Sequence, residues 1–193
     1  MEIKAYTDGS CRPNPGTGAW AIVLISEEEI LYEATESVEN TTNNRMETIA
    51  IHEALKAASK YKKLTYLEIH SDSKVALYTI SGSWTPKKNK DLIKEAISAA
   101  ISLEEKGIGI IFSHVKGHSG NKWNEYVDNL ANKTAGMQLE KNKTIKSKSE
   151  CSSCNDKGWI WRDGAVNGRG YANPCDKCNV WILARVPNKR LTH

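Results

Sequence analysis

Four acidic residues have the types and settings that could do chemistry. They are Asp8 in Ala5-Tyr6-Thr7-Asp8-Gly9-Ser10, Glu47 in Thr41-Thr42-Asn43-Asn44-Arg45-Met46-Glu47, Asp72 in His70-Ser71-Asp72-Ser73, and Asp128 in Asn124-Glu125-Tyr126-Val127-Asp128-Asn129-Leu130. Each falls where a strand is ending or a helix is running, and an acid turned inward there needs a reason. Gathered at one point, four carboxylates repel one another prohibitively unless cations neutralise them. Two Mg²⁺ ions about 4 Å apart, held by such oxygens, activate a water and stabilise the departing oxygen of a phosphodiester. The pattern therefore points to a divalent-metal site and to phosphate chemistry.

The elements that must position these residues follow from periodicity and punctuation. Ile3–Asp8 reads as a strand, 11–18 as a turn cluster rich in Pro and Gly, Ala19–Ser26 as a strongly apolar strand, and Ile30–Ser37 as its return. Short loops between these three predict an antiparallel meander. Met46, Ile49, Ala50, Ala54, Leu55 and Ala58 form an apolar stripe at helical spacing, so a helix is expected from Asn44 to about Tyr61, capped by Asn43 or Asn44. Thr65–Ser71 is a strand and Ser73–Ile80 a short helix. A long helix runs from Lys90 to Lys106, ended by Gly107. Ile108–Val115 reads as a buried strand, and Trp123–Ala135 as a final helix stopped by Gly136. The order is β-β-β-α-β-α-α-β-α, an α/β domain with a five-stranded mixed sheet. Strands 3–8 and 65–71 as parallel neighbours would deliver Asp8 and Asp72 side by side. A helix packed over them would bring Glu47 from its first turn, and the last helix Asp128.

The ordered set of blocks resembles type 1 ribonuclease H. It comprises Thr7-Asp8-Gly9-Ser10, the Thr41–Glu47 run, Ser71-Asp72-Ser73, and Val115-Lys116-Gly117-His118-Ser119-Gly120 followed by Asn124-Glu125, Asp128 and Leu130-Ala131. The resemblance covers residues 1–136 and implies the ribonuclease H-like fold. It further implies hydrolysis of the RNA strand of RNA–DNA hybrids, leaving 5′-phosphate and 3′-hydroxyl ends. By that resemblance Asp8 would bridge two Mg²⁺ (or Mn²⁺) ions. Asp128 would complete the site of the nucleophile-activating ion, and Glu47 and Asp72 would hold the ion near the leaving oxygen. His118, on a glycine-flanked loop, would serve proton transfer or product release. His52, His70, His114 and His193 carry no such expectation, and His70 is read as packing.

Telling RNA from DNA rests on the 2′-hydroxyls of the wide minor groove, and amides suit that task because they both donate and accept. Asn14, Asn43 and Asn44 match the family's minor-groove positions. Thr42 and Asn89 match those gripping a DNA phosphate, and Trp84 the aromatic lying against a deoxyribose. Many members carry a basic, tryptophan-rich protrusion before the long helix. Here that stretch is only Ser81–Asn89, too short to form it.

Charge is distributed unevenly. Residues 1–136 hold 16 Lys/Arg against 18 Asp/Glu, a net −2, whereas 137–193 hold 11 against 5, a net +6. Residues 137–150, poor in apolar side chains, read as a flexible basic linker. In residues 151–193, Cys151, Cys154, Cys175 and Cys178 form two C-x2-C pairs, with ligand spacing for one structural Zn²⁺ in a zinc-ribbon-like module. A disulfide pairing is the alternative, disfavoured in a reducing compartment. Lys157, Trp159, Trp161, Arg162, Arg169, Tyr171, Lys177, Trp181 and Arg185 interleave cations with aromatics, a composition suited to nucleic acid. This module is expected to supply the hybrid affinity that a core of charge −2 lacks. Docking onto replication or other proteins is the competing role.

No apolar run reaches membrane-spanning length and the chain starts on a strand, so a cytoplasmic, monomeric enzyme with no membrane partner is expected. Two other functions stay in view: a binding protein that kept the fold without cleaving, and a transposase, integrase or exonuclease on the same fold.

Overall fold

Alternation along one strand sets the two faces of the sheet. In β2 (Gly16–Ser26), Trp20, Ile22 and Leu24 point to one side while Ala21, Val23 and Ile25 point to the other, and all six are buried. A strand buried on both faces must sit inside a layered domain, which explains its unbroken apolar run. The computed structural model describes the backbone of residues 1–148, 159–162 and 171–174, and the side chains of residues 1–138.

The first unit, Met1–Leu139, has the five-stranded order β3-β2-β1-β4-β5. β1 (Glu2–Cys11), β2 and β3 (Glu29–Thr41) form the expected antiparallel meander. β4 (Tyr66–Ser71) and β5 (Gly109–His114) add in parallel, with Tyr6 opposite His70 in the β1–β4 register. Two more steps along that register bring Asp8 level with Asp72. α1 (Asn43–Ala58), α2 (Lys74–Ile80) and α3 (Lys90–Glu104) cover one face, burying Met46, Ile51, Leu55, Leu77 and Leu103 with Ile22 and Leu24. Truncating any of these fully buried side chains to Ala costs about 2–5 kcal/mol. α4 (Lys122–Lys148) covers the other face, where Trp123, Val127 and Ala131 pack on Tyr6, Ala21, Val23 and Ile25.

Four expectations need correction. The cap of α1 is Thr42, in extended backbone, and not Asn43 or Asn44, so Glu47 lies in the second turn. The Thr42 carbonyl receives the Arg45 and Met46 amides, and the Thr42 side chain itself makes no capping bond. β5 is not a buried strand but an edge strand with Ile111 exposed, because no described strand pairs beyond it. The last helix does not stop at Gly136. It continues to Lys148 through most of the segment read as a flexible linker. Met137, Gln138, Leu139, Glu140 and Lys141 are good helix formers, and a single glycine costs only about 1 kcal/mol inside a helix already nucleated.

Residues 81–89 join α2 to α3 directly, with no helix between them. No described helix is long and apolar enough to cross a membrane. In the second unit, β6 (Trp159–Arg162) and β7 (Tyr171–Pro174) pair antiparallel, with Trp159 opposite Pro174 and Arg162 opposite Tyr171. Cys151, Cys154, Cys175 and Cys178 lie outside the described residues.

Candidate active site

Asp8, Glu47 and Asp72 meet at the end of β4, with Asp8 on β1 three residues before that strand ends, Glu47 on α1 and Asp72 just beyond Ser71. Each offers a carboxylate oxygen within 4.8 Å of the other two. Close approach depends on Gly9. A Cβ there would lie 2.2 Å from the Glu47 amide nitrogen and 2.5 Å from the Met46 carbonyl carbon, so any side chain would lift α1 off β1. With hydrogen in that place, the Gly9 backbone lies close enough to lower the proton affinity of the Glu47 carboxylate.

The electrostatic cost is visible in the proton affinities. Asp8, 6% exposed, is pushed up to about 7, first by burial and then by the charges of Asp72 and Asp128. Glu47 is raised well above the usual carboxylate range by burial, Asp8 and Asp72, against a hydrogen bond from Asn43 and the nearby Gly9 backbone. Burial and Asp128 raise Asp72, partly offset by His118 and His114. Glu47 Oε2 is buried without a hydrogen-bond partner. An orphaned anionic oxygen among three converging carboxylates is what a hard divalent cation would satisfy, so these residues fit such an ion.

Asp128 stands apart from that tight group. It projects from α4, on the sheet face that Tyr6 and Asp8 share, and is near enough to act on Asp8 and Asp72. Its Oδ1 accepts a 2.7 Å hydrogen bond from Asn132 Nδ2, and Asn132 Oδ1 accepts a 2.6 Å bond from Ser10 Oγ. Neither Asn132 nor the role of Ser10 was anticipated. The signal was the spacing of four residues between Asp128 and Asn132, which places both on one helix face.

His118 is exposed, with φ of 51°, on the loop entering α4. That loop is pinned by the Gly120 amide donating to Glu125 Oε1 at 3.0 Å, and by Asn121 Oδ1 capping the Trp123 and Asn124 amides. Gly117 lies against Asp72, where a Cβ would come within 2.7 Å of Oδ2. His70 does pack: it stacks on Tyr6 with ring centroids 4.4 Å apart, and its Nε2 lies 3.3 Å from Glu68 Oε2.

The residues matched to substrate positions surround the start of α1. Asn14 Oδ1 accepts from the Asn43 amide at 3.2 Å, and Asn43 Nδ2 donates to Glu47 Oε1 at 3.2 Å. One asparagine thus touches both the hairpin turn and a site carboxylate. Asn44 is exposed beside it, and Thr42 caps the helix. Asn89, in a left-handed conformation before α3, accepts from Arg45 Nη1 at 3.3 Å. Trp84 is 48% exposed and leans on Tyr78, with centroids 4.9 Å apart.

Known proteins share this arrangement. Ribonuclease H of Treponema denticola is 38% identical, matching 95% of its own length to 68% of this chain, and that of Campylobacter jejuni is 40% identical over 90% of its length and 69% of this chain. Among solved structures, RNase H1 of Halobacterium salinarum superposes with a TM-score of 0.59 at 30% identity, covering 70% of this chain and 98% of its own. LC11-RNase H1, solved in complex with an RNA/DNA hybrid, does so with a TM-score of 0.59 at 25% identity, over 71% and 99%. The RNase H family profile matches residues 1–136. With its carboxylates gathered on the sheet and helices that the profile spans, the chain belongs to the RNase H family of enzymes.

Proposed function

We propose that this protein is an endoribonuclease that hydrolyses the RNA strand of RNA–DNA hybrids with two divalent cations, leaving 5′-phosphate and 3′-hydroxyl ends. The observation that carries this reading is the convergence of Asp8, Glu47 and Asp72 around the unpartnered Glu47 Oε2. The hybrid bound to LC11-RNase H1 supports the choice of substrate. Asp8, Glu47, Asp72 and Asp128 would hold the cations, Mg²⁺ or Mn²⁺. When bound, such ions supply an activated water and charge stabilisation at the leaving oxygen. The chain's own contribution is preorganisation: sheet ends and helices fix the carboxylates before any ligand arrives. His118, exposed on its loop, is placed to carry a proton to or from solvent. Asn14, Asn43 and Asn44 present amides for the 2′-hydroxyls, Thr42 and Asn89 a phosphate grip, and Trp84 an apolar face for a sugar.

The basic C-terminal module belongs to the same proposal. Its cysteine spacing suits a structural Zn²⁺, and its cations and aromatics suit hybrid backbone, replacing the affinity that the short 81–89 connection does not provide. The deciding experiment is cleavage of a labelled hybrid, double-stranded RNA and double-stranded DNA by wild type and Asp8→Asn in Mg²⁺. Hybrid-selective cleavage lost in the variant is expected. Equal activity in both proteins would overturn the metal assignment, and equal cleavage of all three duplexes would overturn the substrate.

A further inference from the structure

The tight carboxylate group is fixed by β1, β4 and α1, whereas Asp128 comes from α4, a separate element packed on the sheet face that Tyr6, Asp8 and Ser10 share. Its alignment therefore depends on how α4 is held to β1, and Val127 and Ala131 supply only apolar, non-directional packing there. Thr134 bonded to Thr35, Tyr126 to Glu33 and Trp123 to Glu28 tie α4 to β3 and the turn before it. The bonds that tie it to β1 beside Asp8 run from Ser10 through Asn132 to Asp128. Ser10 lies two residues beyond Asp8 on β1 and shares its face by alternation. Asn132 lies one helical turn beyond Asp128.

Each group in this chain of bonds has one workable orientation. The ionised Asp128 carboxylate only accepts, so the Asn132 NH₂ must face it. The Asn132 carbonyl is then turned to Ser10, whose hydroxyl must donate. Bonds of 2.6 and 2.7 Å leave little play. Oδ1 of Asp128 is engaged and Oδ2 stays free for the site. We propose that Asn132, oriented by Ser10, is the positioning residue that aligns Asp128 with Asp8, and that this relay sets divalent-cation affinity at the Asp8–Asp128 end of the site. The inference rests on the metal role of Asp128 proposed above.

The test is Mn²⁺ binding to the full chain followed by electron paramagnetic resonance, beside steady-state hydrolysis of a hybrid. Asn132→Leu keeps the volume of the side chain and removes both bonds. It should weaken Mn²⁺ binding about tenfold or more, the usual cost of losing a partner that orients a metal ligand. Its KM for hybrid should stay at the wild-type value. Ser10→Ala should move Mn²⁺ affinity in the same direction by less. The double variant should be no worse than Asn132→Leu, because Ser10 acts through Asn132. Wild-type Mn²⁺ affinity in Asn132→Leu, or additive effects in the double variant, would overturn the inference. Should Asn132→Leu not fold, unchanged affinity in Ser10→Ala does so by itself. Asp128→Asn separates the two layers: wild-type Mn²⁺ binding there defeats the metal role of Asp128, whereas weakened binding there with intact binding in Asn132→Leu defeats only the relay.

Discussion

Replacing Asp8 by Asn should remove activity and, without metal, stabilise the fold. The carboxyl moves from 3.8 when unfolded to about 7 in the structure, which costs the metal-free protein about 4 kcal/mol once Asp8 is ionised. Burial and the charges of Asp72 and Asp128 cause the shift. The folded state binds the proton more tightly, so the penalty is absent below the unfolded value, grows as pH rises, and is complete above about 7. Glu47 and Asp72 can carry a proton in place of Asp8, so a single substitution should recover about half, roughly 2 kcal/mol. For a domain of this size that is about 6 °C in Tm. The assay is thermal unfolding by circular dichroism in EDTA. Asp8→Asn should melt about 6 °C above wild type at pH 8 and level with it at about pH 3, where Asp8 is protonated in both the folded and the unfolded state. Adding Mg²⁺ should raise wild type and leave the variant in place, since only wild type gains a ligand in its folded state. No gain at pH 8, or an equal gain at both pH values, would refute the reasoning.

Gly9→Ala should destabilise the protein by about 3 kcal/mol in urea unfolding, because the new methyl meets the backbone of Glu47 and Met46. Gly117→Ala pushes only on the end of the Asp72 side chain, so Tm should hold while kcat falls about tenfold or more. The RNase H family profile ends at residue 136 and the first compact unit at Leu139, so residues 1–139 should fold and cut alone. That truncation should raise KM for hybrid several-fold and lower the slope of log K against log salt by about 0.9 for each phosphate that the module neutralises. Unchanged KM and slope would remove the C-terminal module from substrate binding.

The sequence disclosed the element order, the antiparallel meander and the carboxylate blocks, because turn residues and apolar periods are local signals. Parallel placement of Asp8 beside Asp72 was legible too, since the helix between the meander and β4 returns β4 parallel to β1. Facts set by tertiary neighbours were not. β5 has the apolar composition of an interior strand, and only its edge position exposes Ile111. Gly136 looked like a helix end, yet helix formers on both sides carry α4 past it. Asn43 looked like a cap, but its amide group serves Glu47. The bonds from Ser10 through Asn132 to Asp128 span 122 residues between the first two partners, and no local pattern announces them.

Asp8, Asp72 and Glu47 stand on strand ends and a helix, and none of them waits for a loop to wrap an ion. Loading a cation is then a docking event and not a folding event. Under the proposed metal role its pace would be set by how quickly Mg²⁺ sheds water, which it does reluctantly, and not by rearrangement of the chain. A cutting site built this way survives each departure of its metal intact. Its working state follows the surrounding supply of free cation, with no refolding lag between idle and active.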